Sequence, residues 1–489
     1  MPFAFTLPTT SNLSFFTFVS STTHPSLTLT ASTLRGVLKN VLKRHKRLAP
    51  RARAANLSTV LSALDEYLPY LLALDAALSG RAVNGEEVDV ALRKEIEVEW
   101  RTSLAATISG RESPRIKGKG LDYEISFTLH TLACVHSIQA RAQLLLLYAA
   151  ATPTDEQRIA IITTATRDLL QANSVHAYLS SRSAETDASS AVVETLSQTQ
   201  GGLAALALAE ATLLAVLKDD PYPAVVAQDR NKNDKDWMIK PPEIPKVRAH
   251  LFARLCLGAA EHAAKAEAML SAPGRVDEAL MKYVNDVRKT ARAKACRLFG
   301  IHAELEGETG LGISWLVGGK KQLGFAVDDG GSKMKGLAKF KKDWTERRED
   351  KKIETGGEWG SDAGRLEELR VIEMLEAKWD KMNDTVGLWL SVHLSELTNE
   401  QINTQLIPPS DPLVASMPSG RDMYTAKPFI PPALDEDTLA RMRAPPDREG
   451  ITGDGDDRSS DEGERPQQSG LPGAFPGSSA TPSNDHSYY

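Results

Sequence analysis

The stretch Gly307–Phe325, GETGLGISWLVGGKKQLGF, combines six glycines with two lysines, a composition that suits a phosphate-binding loop. A Walker loop has the pattern G-x-x-x-x-G-K-[ST], in which the last residue supplies a hydroxyl that holds magnesium. Gly319 and Lys320 match the end of that pattern. Ser314 replaces its first glycine, however, and Lys321 replaces its hydroxyl residue. The spacing therefore argues against a Walker-type nucleotide site.

The same stretch also fails the dinucleotide pattern G-x-G-x-x-G. Gly310 and Gly312 fit its first two positions, but Trp315 stands where a small residue must allow close helix packing. The preceding residues have a helical pattern, whereas this motif follows a strand. We therefore interpret the stretch as a short helical turn that packs its apolar side chains. Gly318 and Gly319 are predicted to end the turn, because glycine tolerates left-handed backbone angles.

Other residue types that do chemistry are not arranged as sites either. The sequence has no H-E-x-x-H and no G-x-S-x-G motif. His130 and His136 are six residues apart, so they do not share a helical face. Cys134, Cys256 and Cys296 lie far apart in Ala- and Leu-rich surroundings, which favours buried, reduced thiols. We predict no catalytic residue, no metal site, no cofactor and no small-molecule substrate.

Charge divides the chain into two parts. The 489 residues carry a formal net charge of −6, and residues 435–489 alone hold 12 acidic against 5 basic residues, a balance of 5 − 12 = −7. Residues 1–434 therefore carry −6 − (−7) = +1, which leaves no global basic field to attract nucleic acid. We predict a folded body at residues 1–434 and an acidic, disordered tail at residues 435–489.

The elements that must position any site are mostly helices. Apolar residues recur at helical spacing in long segments, and Thr154 before an acidic first turn predicts a helix start. FAFTLP and EIEVEWRTSL alternate and favour short strands. The apolar stretch Leu203–Leu217 is too short to span a bilayer and contains Glu210, which favours a buried helix. The polar insertion after Asp219 is predicted to be a loop. The basic run Lys333–Lys352 would either contact anionic lipid or form a solvated loop.

Several segments resemble one known family. NLSTVLSALDEYLPYLLALDAAL, EVEWRTSL and GLDYEISFTLHTLACVHSIQARAQL follow the helical order of BRO-one domains of ALIX-like endosomal adaptors, with Tyr123 and Glu124 at the family's aromatic–Glu position. TVGLWLSVHL resembles a family stretch that ends in V-P, with His393 in place of the proline. Two segments, MPFAFTLPTTS and GLGISWLVGGKKQLGF, are most similar to the fungal BRO-domain proteins that act in ambient-pH signalling. The resemblance covers about residues 1–430.

This resemblance implies a mainly α fold, an elongated boomerang-shaped helical body around a tetratricopeptide-like core, with a small N-terminal β element. It implies a non-enzymatic adaptor that binds the C-terminal amphipathic helix of the core ESCRT-III filament subunit in an apolar groove. It also implies other pH-signalling components as partners. The implied location is cytoplasmic, with recruitment to endosomal or cortical membrane sites, and peripheral membrane contact is left open.

The resemblance also points to partner-binding residues. The family's apolar pair at i and i+4 falls on Leu251 and Leu255 in KVRAHLFARLCLGAAEHA, which share one helical face. A usually aromatic position falls at Ala215, beside Leu214, and an acidic family contact corresponds to Asp155. Leu251 and Leu255 would equally suit a hydrophobic core. Two other functions stay open: a generic helical interaction scaffold in endosomal sorting, and an enzyme that holds phosphate at the Gly–Trp stretch.

Overall fold

The computed structural model of the chain describes residues 1–105, 113–148, 153–184, 192–223, 244–272, 276–325, 360–393 and 405–444. The predicted loop beyond residue 223, the basic run at residues 333–352 and the tail beyond residue 444 lie outside these ranges. Within them, eleven α-helices hold most residues: α1 (Pro25–Arg47), α2 (Pro50–Leu78), α3 (Leu121–Leu145), α4 (Asp155–Ala184), α5 (Ser197–Asp219), α6 (Lys246–Ser271), α7 (Glu278–Leu305), α8 (Thr309–Gln322), α9 (Arg365–His393), α10 (Ser410–Ala415) and α11 (Glu436–Ala440).

The strands in the described ranges are short and lie in the N-terminal part: β1 (Thr9–Thr10), β2 (Val19–Ser20), β3 (Ala91–Leu92), β4 (Glu97–Arg101) and β5 (Arg115–Lys119). One antiparallel sheet has the order β1-β4-β5, and β2 pairs with β3. The strand predicted in EIEVEWRTSL is confirmed as β4. The prediction of a strand in FAFTLP is wrong, since this segment belongs to no sheet in the described structure. Phe3 and Phe5 pack against helical side chains instead, and the Phe3 ring lies 5.3 Å from that of Tyr283.

A buried carboxylate joins the N-terminal elements. Glu124, in the first turn of α3, accepts a hydrogen bond from Arg35 Nε of α1 at 2.7 Å. It also accepts from Tyr67 Oη of α2 at 3.0 Å and from Trp100 Nε1 of β4 at 2.7 Å. Burying a carboxylate is costly unless it is paired and hydrogen-bonded, and here Arg35 and two neutral donors offset that cost. One side chain thus fixes the positions of four elements.

From α3 to α8, each helix packs against the next one along the chain. Among the described residues, only α5 is long and apolar enough to cross a membrane, and 72% of its apolar window is buried inside the protein. It lies between α4 and α6, and the carboxylate of Glu210 accepts a hydrogen bond from Tyr283 Oη at 2.6 Å. The prediction of a buried helix at this stretch is confirmed.

A second buried ion network joins α7 to the first turn of α9 and to the residue that follows α5. Arg297 of α7 bonds Asp220, which follows α5, at 2.5 Å and Glu368 of α9 at 2.6 Å. Lys294 Nζ contacts Glu368 at 2.6 Å as well. Burial would raise the pKa of Glu368, but Arg297 and Lys294 outweigh it and hold that pKa below its ordinary value. The network ties α5, α7 and α9 around one apolar cluster.

Most of the glycine-rich stretch forms the regular helix α8. The prediction that Gly318 and Gly319 end a short turn is wrong, because α8 continues to Gln322 and the left-handed residue is Gly324, with φ +78°. These internal glycines serve close packing instead. A Cβ on Gly319 would lie 3.1 Å from Ile372, and one on Gly318 would lie 2.8 Å from Val414. Glycine is needed here because neighbouring elements approach the helix backbone.

After α9, residues 405–434 run as a mostly extended segment over the helices, and we name this segment the C-terminal strap. Beyond it, Leu439 and Met442 are buried in the N-terminal core, and Ala444 N donates to Thr23 O at 2.7 Å. The packed chain therefore continues past residue 434, where the predicted body ended. The three cysteines are buried and free, and burial raises the pKa of Cys256 and of Cys296 to about 12, so these thiols stay protonated.

Candidate functional site

The predicted leucine pair lies on α6, which packs between α5 and α7. Leu255 is 4% exposed and belongs to the apolar cluster that also contains Val216 and Leu298. Leu251 is half-buried against the same cluster. A helix covered on two sides has little surface left for a partner, so Leu255 packs as a core residue. Its role in partner binding stays a prediction.

Leu214 and Ala215 lie near the C-terminal end of α5 but point in different directions, because successive helical residues are rotated by about 100°. Leu214 is 7% exposed and packs with Leu144 of α3 and Ile162 of α4. Ala215 is half-buried and lines an open groove of about 550 Å³ between α4, α5 and the C-terminal strap. Of the two residues, Ala215 is the one that a partner can contact.

The groove beside Ala215, named here the α4–α5 groove, is apolar at its base and cationic at its rim. Its apolar lining includes Ile162, Leu170 and the half-buried Tyr424. Burial raises the pKa of Tyr424, so its phenol stays neutral. Among the described residues, the lining contains no carboxylate and three exposed cations; these lining residues are Ile162, Thr163, Thr166, Arg167, Leu170, Gln171, Ser174, Ala215, Lys218, Tyr424, Thr425, Ala426 and Lys427. This surface suits an apolar ligand with acidic flanks.

Asp155 is the first residue of α4 and is exposed. Thr154 and Gln157 cap this helix reciprocally, with Gln157 N donating to Thr154 Oγ1 at 3.3 Å, which confirms the predicted helix start. One turn on, Arg158 donates to the carbonyl of Leu217 at 2.8 Å and so holds α4 against the end of α5. Asp155 is seven residues, or about two turns, before the groove residue Ile162 on the same face.

The structure therefore divides the five predicted residues. Ala215 lines the α4–α5 groove, Leu214 supports α5 from beneath, and Asp155 lies about 10 Å along α4 from the groove's apolar base. Leu251 and Leu255 belong to a different apolar cluster, on the α6 side of α5. These two clusters are separate because α5 buries opposite faces against α4 and α6.

The C-terminal strap supplies groove residues that the sequence reasoning missed. It crosses α6 where two glycines meet: a Cβ on Gly258 would lie 2.4 Å from Arg421 O, and one on Gly420 would lie 2.2 Å from Gly258 N. Arg421 N donates to Arg254 O at 3.0 Å at this crossing. The crossing places Tyr424 over α4 and α5. A glycine inside α6 was the available signal, since glycine weakens a helix unless a close approach requires it.

The lysines of the Gly–Trp stretch have protein partners. Lys320 forms an ion pair with Glu376 of α9, and Lys321 contacts Asp411 of α10 at 2.9 Å. The backbone N–H groups of this stretch lie inside a regular helix rather than in a loop. A phosphate cradle needs free N–H groups that converge on an anion, and α8 does not present them. Its geometry supports packing.

Comparison with known proteins begins with the fold. No known family model matches the sequence. ALIX bound to the SIVmac239 PYKEVTEDL late domain superposes with a TM-score of 0.50 at 15% identity, over 86% of this chain and 50% of that chain. A complex of the ALIX BRO1 domain and CHMP4C superposes with a TM-score of 0.49 at 14% identity, over 88% of this chain and 95% of that chain. The superposition on ALIX at a TM-score of 0.50 shows a BRO1-type fold, mainly α with a small N-terminal β element, as predicted.

The sequence comparison is more specific. The pH-response regulator protein palC of Emericella nidulans is 44% identical over an alignment of 529 positions that covers 100% of both chains. The chain belongs to the PalC family of pH-response regulators. Family and fold together support an adaptor scaffold in pH signalling and favour a non-enzymatic role.

Proposed function

We propose that this chain is a non-enzymatic adaptor that binds the C-terminal amphipathic helix of the core ESCRT-III filament subunit during fungal alkaline-pH signalling. Binding would recruit it from the cytoplasm to endosomal or cortical membrane sites, together with other pathway components. The observation that carries the proposal is the α4–α5 groove at Ala215, which is apolar and open, with no carboxylate among its described lining residues. The resemblance to BRO-one domains supplies the identity of the partner.

The groove fits one face of an amphipathic helix. Such a ligand presents apolar side chains at i, i+3 and i+4, which would contact Leu170, Ala215 and Tyr424. Lys218 of α5 and Lys427 of the strap stand at the rim, where they attract acidic residues beside the apolar stripe. The small side chain of Ala215 leaves room for a large apolar anchor from the partner.

Fluorescence anisotropy with a labelled peptide of the ESCRT-III C-terminal helix tests the proposal on the full-length chain. Ala215→Glu places a carboxylate and a longer side chain in the groove, and we expect affinity to fall by at least about 10-fold, since an unpaired charge must be desolvated. Ala264→Glu is the matched control, because Ala264 is a half-buried alanine that lines a different groove, beside α6. The control should keep wild-type affinity.

Three results would contradict the proposal: no binding by the wild type, equal loss in both variants, or unchanged affinity in Ala215→Glu with the fold intact by circular dichroism. The first result with intact folding would favour the generic helical scaffold with other partners. The phosphate alternative has a separate test, in which heat of binding with ATP or GTP in calorimetry would revive an enzymatic role for the Gly–Trp stretch.

A further inference from the structure

The outward face of α1 is rich in cations. Residues 1–64 contain eight basic residues and no Asp or Glu. Of these cations, Arg35 is buried against Glu124, whereas Lys43, Arg44 and Arg47 are exposed near the end of α1. No described residue forms an ion pair with these three side chains. A concentrated positive field therefore faces the solvent at the C-terminal half of α1.

The N-terminal half of the same face is apolar and exposed. Leu29 is 58% exposed and Val37 is 42% exposed, while Leu27, Leu38 and Leu42 on the opposite face are buried in the core. At about 100° per residue, Leu29, Val37, Lys43, Arg44 and Arg47 fall within one arc of the helix. The face thus carries apolar side chains at one end and cations at the other, over about 27 Å.

An exposed aromatic residue extends this face. Phe16, in the turn Phe15–Thr17, is 54% exposed, and Phe15 N donates to Ser32 Oγ of α1 at 2.8 Å, which holds the turn beside the helix. Aromatic and aliphatic side chains next to cations are the composition of surfaces that lie in the interface of a bilayer.

A cavity of about 450 Å³ adjoins the cationic half of the face. It is lined by Lys39 and Lys43 of α1 and by Arg115 and Lys117 of β5, together with Glu97 and Glu99 of β4. Lys117 contacts Glu99 at 3.6 Å, and cations outnumber carboxylates in the lining. The cavity is wide enough for an anionic group and lies where a lipid headgroup would sit if α1 rested on a membrane.

We propose that the outward face of α1, with the adjoining turn at Phe16, docks on an anionic lipid membrane. The exposed apolar side chains favour a membrane over a nucleic acid as the partner. The phosphate backbone of a nucleic acid binds cations but offers no apolar phase in which Leu29, Val37 and Phe16 could be buried. The surface lies on α1, away from the α4–α5 groove residues, so membrane and helical partner would not compete for the same side chains.

Vesicle co-sedimentation of the full-length chain tests this docking. At 0.1 M salt we expect at least about 10-fold stronger binding to phosphatidylcholine vesicles with 30% phosphatidylserine than to pure phosphatidylcholine. Lys43→Glu with Arg47→Glu should lower binding to the anionic vesicles by at least about 25-fold, since each cation near such a surface contributes about 1 kcal/mol. Lys265→Glu with Lys282→Glu, two exposed lysines of α6 and α7, changes the net charge equally and should keep wild-type binding.

A second variant tests the apolar half. Leu29→Gln with Val37→Gln keeps all charges and should reduce the binding that persists at 0.5 M salt, because screening leaves the apolar contribution. Equal loss in the α1 and control charge variants would overturn the proposal, because net charge alone would then explain binding. Equal binding to both vesicle types, or retention of duplex RNA without vesicle binding, would overturn it as well.

Discussion

Asp168 of α4 shows how single side chains in this protein hold charge where water is scarce. It is 8% exposed, in a groove of about 700 Å³ between α2, α3 and α4 that also contains His136. Burial raises the pKa of Asp168 to about 6, with the neighbouring Arg167 acting in the opposite direction, and burial lowers the pKa of His136 to about 4. The folded environment therefore disfavours the charged form of each residue, and Asp168 is nevertheless ionised at neutral pH because its pKa lies below 7.

Asp168→Asn should stabilise the protein at neutral pH. The folded-state pKa of Asp168 is raised above the unfolded value, so the destabilisation is full above pH 6 and disappears as the pH falls towards 4. We expect a gain on the order of 1 kcal/mol at pH 7.5 and none at pH 4 by urea unfolding. Glu87→Gln, at an exposed position, should change neither value, and a gain that persists at pH 4 would contradict the explanation.

Leu255→Ala and Leu251→Ala decide between core and partner binding for the predicted pair. Because Leu255 is 4% exposed, we expect its truncation to lower the free energy of unfolding by about 3 kcal/mol, and that of the half-buried Leu251 by about 1 kcal/mol. Chemical denaturation measures both. If Leu255→Ala instead left stability intact and weakened peptide binding, the leucine pair would be the partner site.

At the scale of elements, close approaches of backbones determine which helices meet. The strap crosses α6 at Gly258 and Gly420, and α7 crosses α8 where a Cβ on Gly300 would lie 3.0 Å from Gly312 O. A larger residue at such a crossing must push the two elements apart, because backbone atoms cannot move away as a flexible side chain can. Glycine at these positions therefore fixes the path of the chain.

Gly258→Ala should loosen the strap although alanine favours helix. The new Cβ would lie 2.4 Å from Arg421 O, so we expect faster hydrogen exchange at residues 405–434 and weaker peptide binding at the groove wall that holds Tyr424. Gly36→Ala is the matched control, since no atom of the described part of the chain lies within 4 Å of its added Cβ, and it should stabilise α1 by about 0.5–1 kcal/mol. Equal exchange rates in the wild type and Gly258→Ala would contradict the role of the crossing.

Arg297→Met should be among the most destabilising single changes. It leaves Asp220 and Glu368 buried without their shared partner, and removing one member of a buried ion network costs about 3–5 kcal/mol. Lys119→Met removes an exposed pair with Glu95 and should change stability far less, because water screens this pair. Thermal unfolding compares the stability of the two variants. Similar losses of stability would show that burial does not determine how much these ion pairs contribute.

At the scale of the whole molecule, buried histidines contribute to the response of stability to pH. His130 of α3 and His176 of α4 flank Gln200 of α5, which lies 2.6 Å from His176 Nδ1 and 3.3 Å from His130 Nδ1. Burial lowers the pKa of His130 to about 3, with His176 adding to the effect, and lowers the pKa of His176 to about 4. Both rings remain neutral from neutral to alkaline pH.

We expect the free energy of unfolding to fall as the pH drops below 6.5. These folded-state pKa values lie below the unfolded value, so the stability they contribute is complete above pH 6.5 and is lost as the pH falls towards 4. Urea unfolding at pH 7 and pH 5 should show a loss of roughly 2–4 kcal/mol. His302→Gln, near the end of α7, should keep this profile. A flat profile in the wild type would contradict the neutral, buried state of the two rings.

The sequence by itself determined the helical content, the strand β4, the start of α4 at Thr154 and the burial of α5. Each depends on the local order of residues: spacing of apolar side chains, alternation, and a capping side chain next to its helix. The family-like segments were also visible, because Glu124 and Trp100 lie in short, distinctive stretches, although their hydrogen bond at 2.7 Å was not visible in the sequence.

Only the tertiary structure decided which predicted site residues a partner can reach. The i, i+4 spacing of Leu251 and Leu255 is the same whether the pair lines a groove or packs in a core. Because α6 packs between α5 and α7, Leu255 lies in the core. Tyr424 reaches the groove at Ala215 because the strap crosses α6 at Gly258 and Gly420. These two glycines lie more than 150 residues apart along the chain. Such contacts depend on where distant backbones meet, and local sequence patterns do not contain that information.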